Sequence, residues 1–124
     1  MDEPEGGDTL RILLDENIPV QLKTLLPDHI VASVNDKDLG WKNITNGRLL
    51  KEMEGRFDLL ITADKNIYAQ QNFSGRTVSV LVLPTNRRRD VLSLGARIAE
   101  TIDLIRKGDY LVLGINGSLE TKSR

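Results

Sequence analysis

Val78 to Leu83 read VSVLVL and stop at Pro84. Only Ser79 interrupts the Val/Leu run, so a strand formed here has no polar face to turn toward water. Such a strand must be covered on both sides, the condition met by a parallel sheet between helical layers. Working outward, four more short runs have the same character: Leu10 to Leu14 (LRILL), Ile30 to Val34 (IVASV), Leu59 to Thr62 (LLIT) and Tyr110 to Leu113 (YLVL). Helical patterns separate them. Asn17 is placed to cap a helix with Pro19 just inside it, and Val20, Leu22, Leu25 and Leu26 fall mostly on one face until Pro27. Leu49, Leu50 and Met53 follow at helical spacing from about Asn46, and a short helix is expected over Lys65 to Asn72. The longest helix is predicted from Asp90, as cap, to Lys107, with Val91, Leu94, Ile98, Ile102 and Ile105 on one side.

Strand and helix therefore alternate along the whole chain. With right-handed crossovers this predicts an α/β, three-layer sandwich around a parallel central sheet of about five strands. The folded domain is expected over residues 10–115, preceded by a disordered leader at 1–9 and followed by a flexible tail at 116–124.

Composition narrows the function. The 124 residues hold 17 Lys and Arg against 18 Asp and Glu, so bulk positive charge does not hold a nucleic acid here. The absence of cysteine excludes thiolate zinc sites, Cys nucleophiles and disulfides, and suits a reducing, cytoplasmic setting. Aromatic residues make up 4%, too few for a single-strand binder built on stacking platforms. No apolar run reaches the ~20 residues that span a bilayer, so no membrane partner is expected. The glycines form neither GxGxxG nor a P-loop. His29 opens the second strand, at the amino edge of the sheet, and is read as structural; Trp41 is assigned to the core.

Ligands of open parallel sheets bind beyond the carboxyl ends of the strands. Asp15, Glu16 and Asn17 follow the first strand; Asn35, Asp36, Lys37 and Asp38 the second; Asp64, Lys65 and Asn66 the third; Thr85, Asn86 and Arg87 to Arg89 the fourth. Carboxylates from three crossovers thus converge on one edge, beside a basic triplet. Crowded carboxylates call for a counter-ion, and oxygen donors without His or Cys favour Mg²⁺ or Mn²⁺. Each acid also has a plainer role as a helix cap or turn former, and Arg87 to Arg89 as a solvated charge run.

Leu13 to Pro19 (LLDENIP), His29-Ile30-Val31, Leu39-Gly40-Trp41, Asn46-Gly47 and Leu60 to Asn66 (LITADKN), in that order, resemble the small stand-alone PIN-like proteins of bacteria and archaea, a group related to VapC-type toxins. The similarity spans roughly residues 10–106. It implies a PIN-like fold and a Mg²⁺- or Mn²⁺-dependent endoribonuclease, the toxin of a toxin–antitoxin pair. RNA, an antitoxin protein and a second copy of the chain are the partners implied. Asp15 matches the family's first metal-binding Asp and Asp64 the Asp of its TxD motif. Asp15, Asp64, Asp38 and Glu16 are the catalytic candidates, Asp15 and Asp64 the metal ligands. Lys65, Arg87, Arg88 and Arg89 are the candidates for holding RNA. Three positions depart from the pattern. Asn66 and Arg48 stand where the family often has acids, and a longer loop leaves the match of Asp36 or Asp38 open. A catalytically silent PIN-like protein-binding domain is therefore one alternative. A receiver-like phospho-acceptor domain is another, using Asp15, Glu16, Asp64 and Thr85 but lacking a Lys after the fifth strand.

Overall fold

The computed structural model describes residues 9–44, 46–66 and 77–122. β1 (Arg11–Leu14) leads through a 3-10 segment (Val20–Leu25) to β2 (Ile30–Ser33), α1 (Asn46–Met53), β3 (Leu59–Thr62) and β4 (Ser79–Val82). α2 (Arg88–Ser93), α3 (Gly95–Leu104), β5 (Tyr110–Leu113) and β6 (Leu119–Thr121) complete the chain. The six strands form one sheet in the order β2-β1-β3-β4-β5-β6, parallel except for the β5–β6 pair.

Side chains of the central strands alternate between two cores. Ile12, Leu14, Leu59, Ile61, Leu81, Leu111 and Leu113 pack beneath the 3-10 segment, α2 and α3, with Leu22, Val91, Ile98 and Ile102. Leu13, Leu60, Val80, Val82 and Tyr110 pack on the other face against Leu49, Leu50 and Met53 of α1. All four residues of β3 and of β4 are buried, as runs without a polar face require. The molecule is therefore an α/β sandwich. Trp41 is 7% exposed in the second core and meets Phe57 edge to face, with ring centroids 5.6 Å apart. Among the described residues no helix is long and apolar enough to cross a membrane.

Four details differ from the sequence-based expectations. The first helix is a 3-10 segment whose cap position is Pro19, and Asn17 does not cap it. The long helix breaks at Leu94 (φ −90°, ψ 5°) into α2 and α3 and ends at Leu104. Gly95 lies against the 3-10 segment, where a Cβ would meet Leu25 Cδ1 at 2.5 Å. Asp90 sits in the first turn of α2, and Arg87 holds the cap position. The fourth concerns residues 116–124, read as a flexible tail: Leu119–Thr121 instead adds an antiparallel strand. A turn at Asn116-Gly117 closes that hairpin, with Gly117 at φ +88° and the Gly114 amide donating to the Ser118 carbonyl at 2.8 Å. The helix expected over Lys65 to Asn72 falls, from residue 67 onward, outside the described residues.

Candidate functional site

The strand order places β1 beside β3, with β2 outside β1 and β4 outside β3. The crossover from β1 runs one way and that from β3 the other. Their carboxyl ends therefore flank the topological switch point, where the backbone leaves a crevice for ligands. Asp15 is the first residue after β1; its amide donates to the Ile61 carbonyl at 2.9 Å, which extends the ladder one step. The register pairs Leu13 with Leu60 and Leu14 with Ile61, so Asp15 falls opposite Thr62.

Asp15 is 8% exposed and Thr62 fully buried. A carboxylate so enclosed needs donors, and among the described residues it has two. The Thr62 hydroxyl donates to Asp15 Oδ2 at 2.6 Å, and the Glu16 amide donates to Oδ1 at 2.8 Å. Thr62 Oγ1 in turn accepts the Asp64 amide at 3.1 Å, and Asp64 Oδ1 accepts the Asn66 amide at 2.9 Å. One buried hydroxyl thus ties the carboxylate of the first crossover to the backbone of the third. The Glu16 carbonyl accepts Asn35 Nδ2 at 2.8 Å, which holds the loop after β1 to the loop after β2.

Asp15, Glu16, Asn17, Ala63, Asp64 and Asn86, with Ile44 as an apolar wall, line one cleft of about 400 Å³. The amide bonds orient the two aspartates, with the Glu16 amide on Asp15 Oδ1 and the Asn66 amide on Asp64 Oδ1. Among the described residues no three acidic or His side chains converge on a cation position. The crowding expected of several carboxylates thus reduces to Asp15 and Asp64, with Glu16 exposed at the rim. An all-oxygen set of one or two carboxylates suits Mg²⁺ or Mn²⁺, which keep waters and take substrate phosphates as further ligands.

Asp36 and Asp38 do not reach this cleft. They line a separate concavity with Lys23, Lys37 and Leu39. Asp36 takes both oxygens to Lys23 Nζ, at 3.0 and 2.9 Å, and accepts the Ser33 amide at 2.9 Å. Desolvation pushes its carboxyl up, but Lys23 and the Ser33 amide outweigh that and leave it below the usual carboxylate range. Asp36 is therefore a turn anchor, and Asp38 sits exposed beside it. Arg87, Arg88 and Arg89 line a shallow surface of their own with Asp90, beginning one residue beyond Asn86. Lys65 is exposed in the turn after Asp64. Thr85 Oγ1 accepts the Arg87 amide at 3.1 Å. His29, at the amino edge, accepts the Leu10 amide on Nδ1 at 3.1 Å.

Sequence reasoning named Thr62 only as a strand end and within the TxD match, with no role of its own, and named Asn17 as a cap and among the residues after β1 but not as a site residue. A hydroxyl ending an otherwise apolar run is the signal that marks Thr62: a buried threonine must place its proton, and a neighbouring carboxylate accepts it. Comparison with protein-family models, with curated proteins and with solved structures gives no significant match.

Proposed function

We propose that the cleft between β1 and β3 hydrolyses RNA phosphodiester bonds with the help of Mg²⁺ or Mn²⁺. The observation that carries this is the meeting of Asp15 and Asp64, from two different crossovers, in one polar cleft at the switch point. Asp15 and Asp64 would hold the ion, and Glu16 at the rim is placed to orient water. A bound divalent ion polarises a phosphodiester and makes a hydroxide-like nucleophile accessible near neutral pH. Thr62 fixes the orientation of the Asp15 carboxylate, as outer hydrogen bonds do for ligating carboxylates. Lys65 beside Asp64, and the ridge Arg87 to Arg89 next to Asn86, supply cations for the flanking phosphates. Asp38, in its own concavity, has no part in this arrangement. A PIN-like family membership, a toxin role, an antitoxin partner and a homodimer rest on the sequence resemblance alone.

The test is RNA cleavage as Mn²⁺ is titrated into the wild-type protein and into Asp15→Asn. Loss of an outer partner already costs about 10–100-fold at metal sites, so loss of a ligand predicts a drop of about a hundredfold or more. Equal activity in the two proteins overturns the proposal, and no metal response in either favours a silent binding domain.

A second reading, a phospho-acceptor domain, is favoured by one observation: β2-β1-β3-β4-β5 is the strand order of flavodoxin-like folds, which include receiver domains. Against it, Gly114, Ile115 and Asn116 follow β5, where a Lys would neutralise the acyl phosphate. A small phosphodonor that adds one phosphate to the intact mass would support it.

A further inference from the structure

The opposite edge of the sheet carries a larger concavity, about 610 Å³, within the range of small-molecule sites. It forms where the amino ends of β1, β3, β4 and β5 meet, and three cations, Arg11, Arg106 and Lys107, share it with one carboxylate, Asp58. Arg11 and Asp58 neutralise each other. Arg11 Nη2 and Nε donate to Asp58 at 3.2 and 3.3 Å, the Arg11 amide adds a third bond at 2.8 Å, and Nη1 donates to the Gly55 carbonyl at 3.1 Å. Arg106 and Lys107 remain exposed, and among the described residues neither side chain forms an ion pair.

The turn that presents these two cations is held in place. Ser79, 2% exposed, donates its hydroxyl to the Arg106 carbonyl at 2.7 Å and accepts the Gly108 amide at 3.0 Å. Asp109 turns Oδ2 onto the Arg106 amide at 2.8 Å, and Gly108 takes φ +83°. The cations therefore stand on backbone that is already ordered, which lowers the entropic cost of binding an anion. Leu10, Phe57 and Ile105, each partly buried, supply an apolar wall to the same cleft.

We propose that this cleft binds a phosphate monoester carrying a flat ring, the chemistry of a mononucleotide. The phosphate, at about −1.5 to −2 charge, matches the two exposed cations, of which Lys107 also acts on the Asp58 carboxylate, and an Arg fork suits its oxygens. The ring lies against Phe57 and its aliphatic neighbours. This site is independent of the carboxylate cleft and stands whether or not RNA is cleaved there.

The test is isothermal titration of the full chain with adenosine monophosphate, adenosine and inorganic phosphate, in EDTA so that no divalent ion recruits phosphate to Asp15 and Asp64. The nucleotide is expected to bind about tenfold or more tighter than either fragment, because each fragment keeps only half of the contacts. The double variant Arg106→Ala/Lys107→Ala removes two exposed side chains and is expected to weaken nucleotide binding by about tenfold or more. On the wild-type protein, rising salt is expected to weaken nucleotide but not adenosine binding, a readout that needs no variant. Adenosine binding as tightly as the nucleotide, unchanged affinity in the double variant, salt-independent nucleotide affinity, or no binding at millimolar ligand overturns the proposal.

Discussion

The Thr62 hydroxyl and the Asp15 carboxylate meet at 2.6 Å across 47 residues of chain, on adjacent parallel strands and in a nearly closed environment. Asp15, at 8% exposure, gains from that bond a donor fixed in place by the neighbouring strand. The Asp64 amide gains an acceptor in the same oxygen.

Replacing Thr62 with Val keeps the shape and deletes the hydroxyl. Asp15 Oδ2 loses its donor and the Asp64 amide its acceptor, each at a cost of about 1–3 kcal/mol. Thr62→Ser retains the oxygen and loses one methyl, at about 1 kcal/mol. Urea unfolding of the two variants separates these effects. Equal losses would mean that packing, and not the hydroxyl, accounts for the burial of Thr62.

A cation held by Asp15 and Asp64 binds only the folded chain and must raise its melting temperature. Millimolar Mn²⁺ is expected to stabilise the wild type while leaving Asp15→Asn and Asp64→Asn unmoved. Asp38→Asn should respond as the wild type does, since Asp38 lines another concavity. A thermal shift that survives both cleft substitutions would place the ion elsewhere.

Two ion pairs, Arg11–Asp58 and Lys23–Asp36, should contribute to acid sensitivity. Burial pushes Asp58 up, but the Arg11 side chain and amide, with Lys107, outweigh it and hold the carboxyl below its usual range; Asp36 behaves alike beside Lys23. Because the folded values are depressed, the unfolded chain takes up protons first as pH falls. Their stabilisation is complete above about pH 3.9, the unfolded Asp value, and is lost as pH drops through the folded values. Urea midpoints followed below about pH 4 should fall less steeply for Asp58→Asn than for the wild type. Parallel curves would exclude the Arg11–Asp58 pair as a source of the slope.

Gly117 turns the β5–β6 hairpin at φ +88°, and a Cβ there would meet only Arg97 at ordinary contact distance, 3.8 Å. Gly117→Ala therefore isolates backbone strain, expected at about 1–2 kcal/mol in chemical unfolding. Metal response at the cleft should not change, because β6 is the far edge of the sheet and Asp15 and Asp64 follow strands at its other side.

Apolar runs, their spacing and their punctuation were enough to read five parallel strands and a covered sheet, and to put Asp15 and Asp64 beyond the carboxyl ends of theirs, because burial on both faces leaves a one-dimensional trace in strands such as Val78 to Leu83. Asn116-Gly117 is an equally local hairpin signal, which the sequence reading passed over for a tail because the residues around Leu119–Thr121 are polar. What no local pattern contains is which strands are neighbours. Only the packed sheet sets β1 beside β3 in a register that puts Asp15 opposite Thr62, and only the tertiary structure shows Gly95, next to the break at Leu94, lying against Leu25. The same neighbour relations send Asp36 to Lys23 and remove it, with Asp38, from the carboxylate cleft. Convergence of side chains distant in sequence is a property of strand order and register, and those follow from the joint burial of both sheet faces, which no single segment determines.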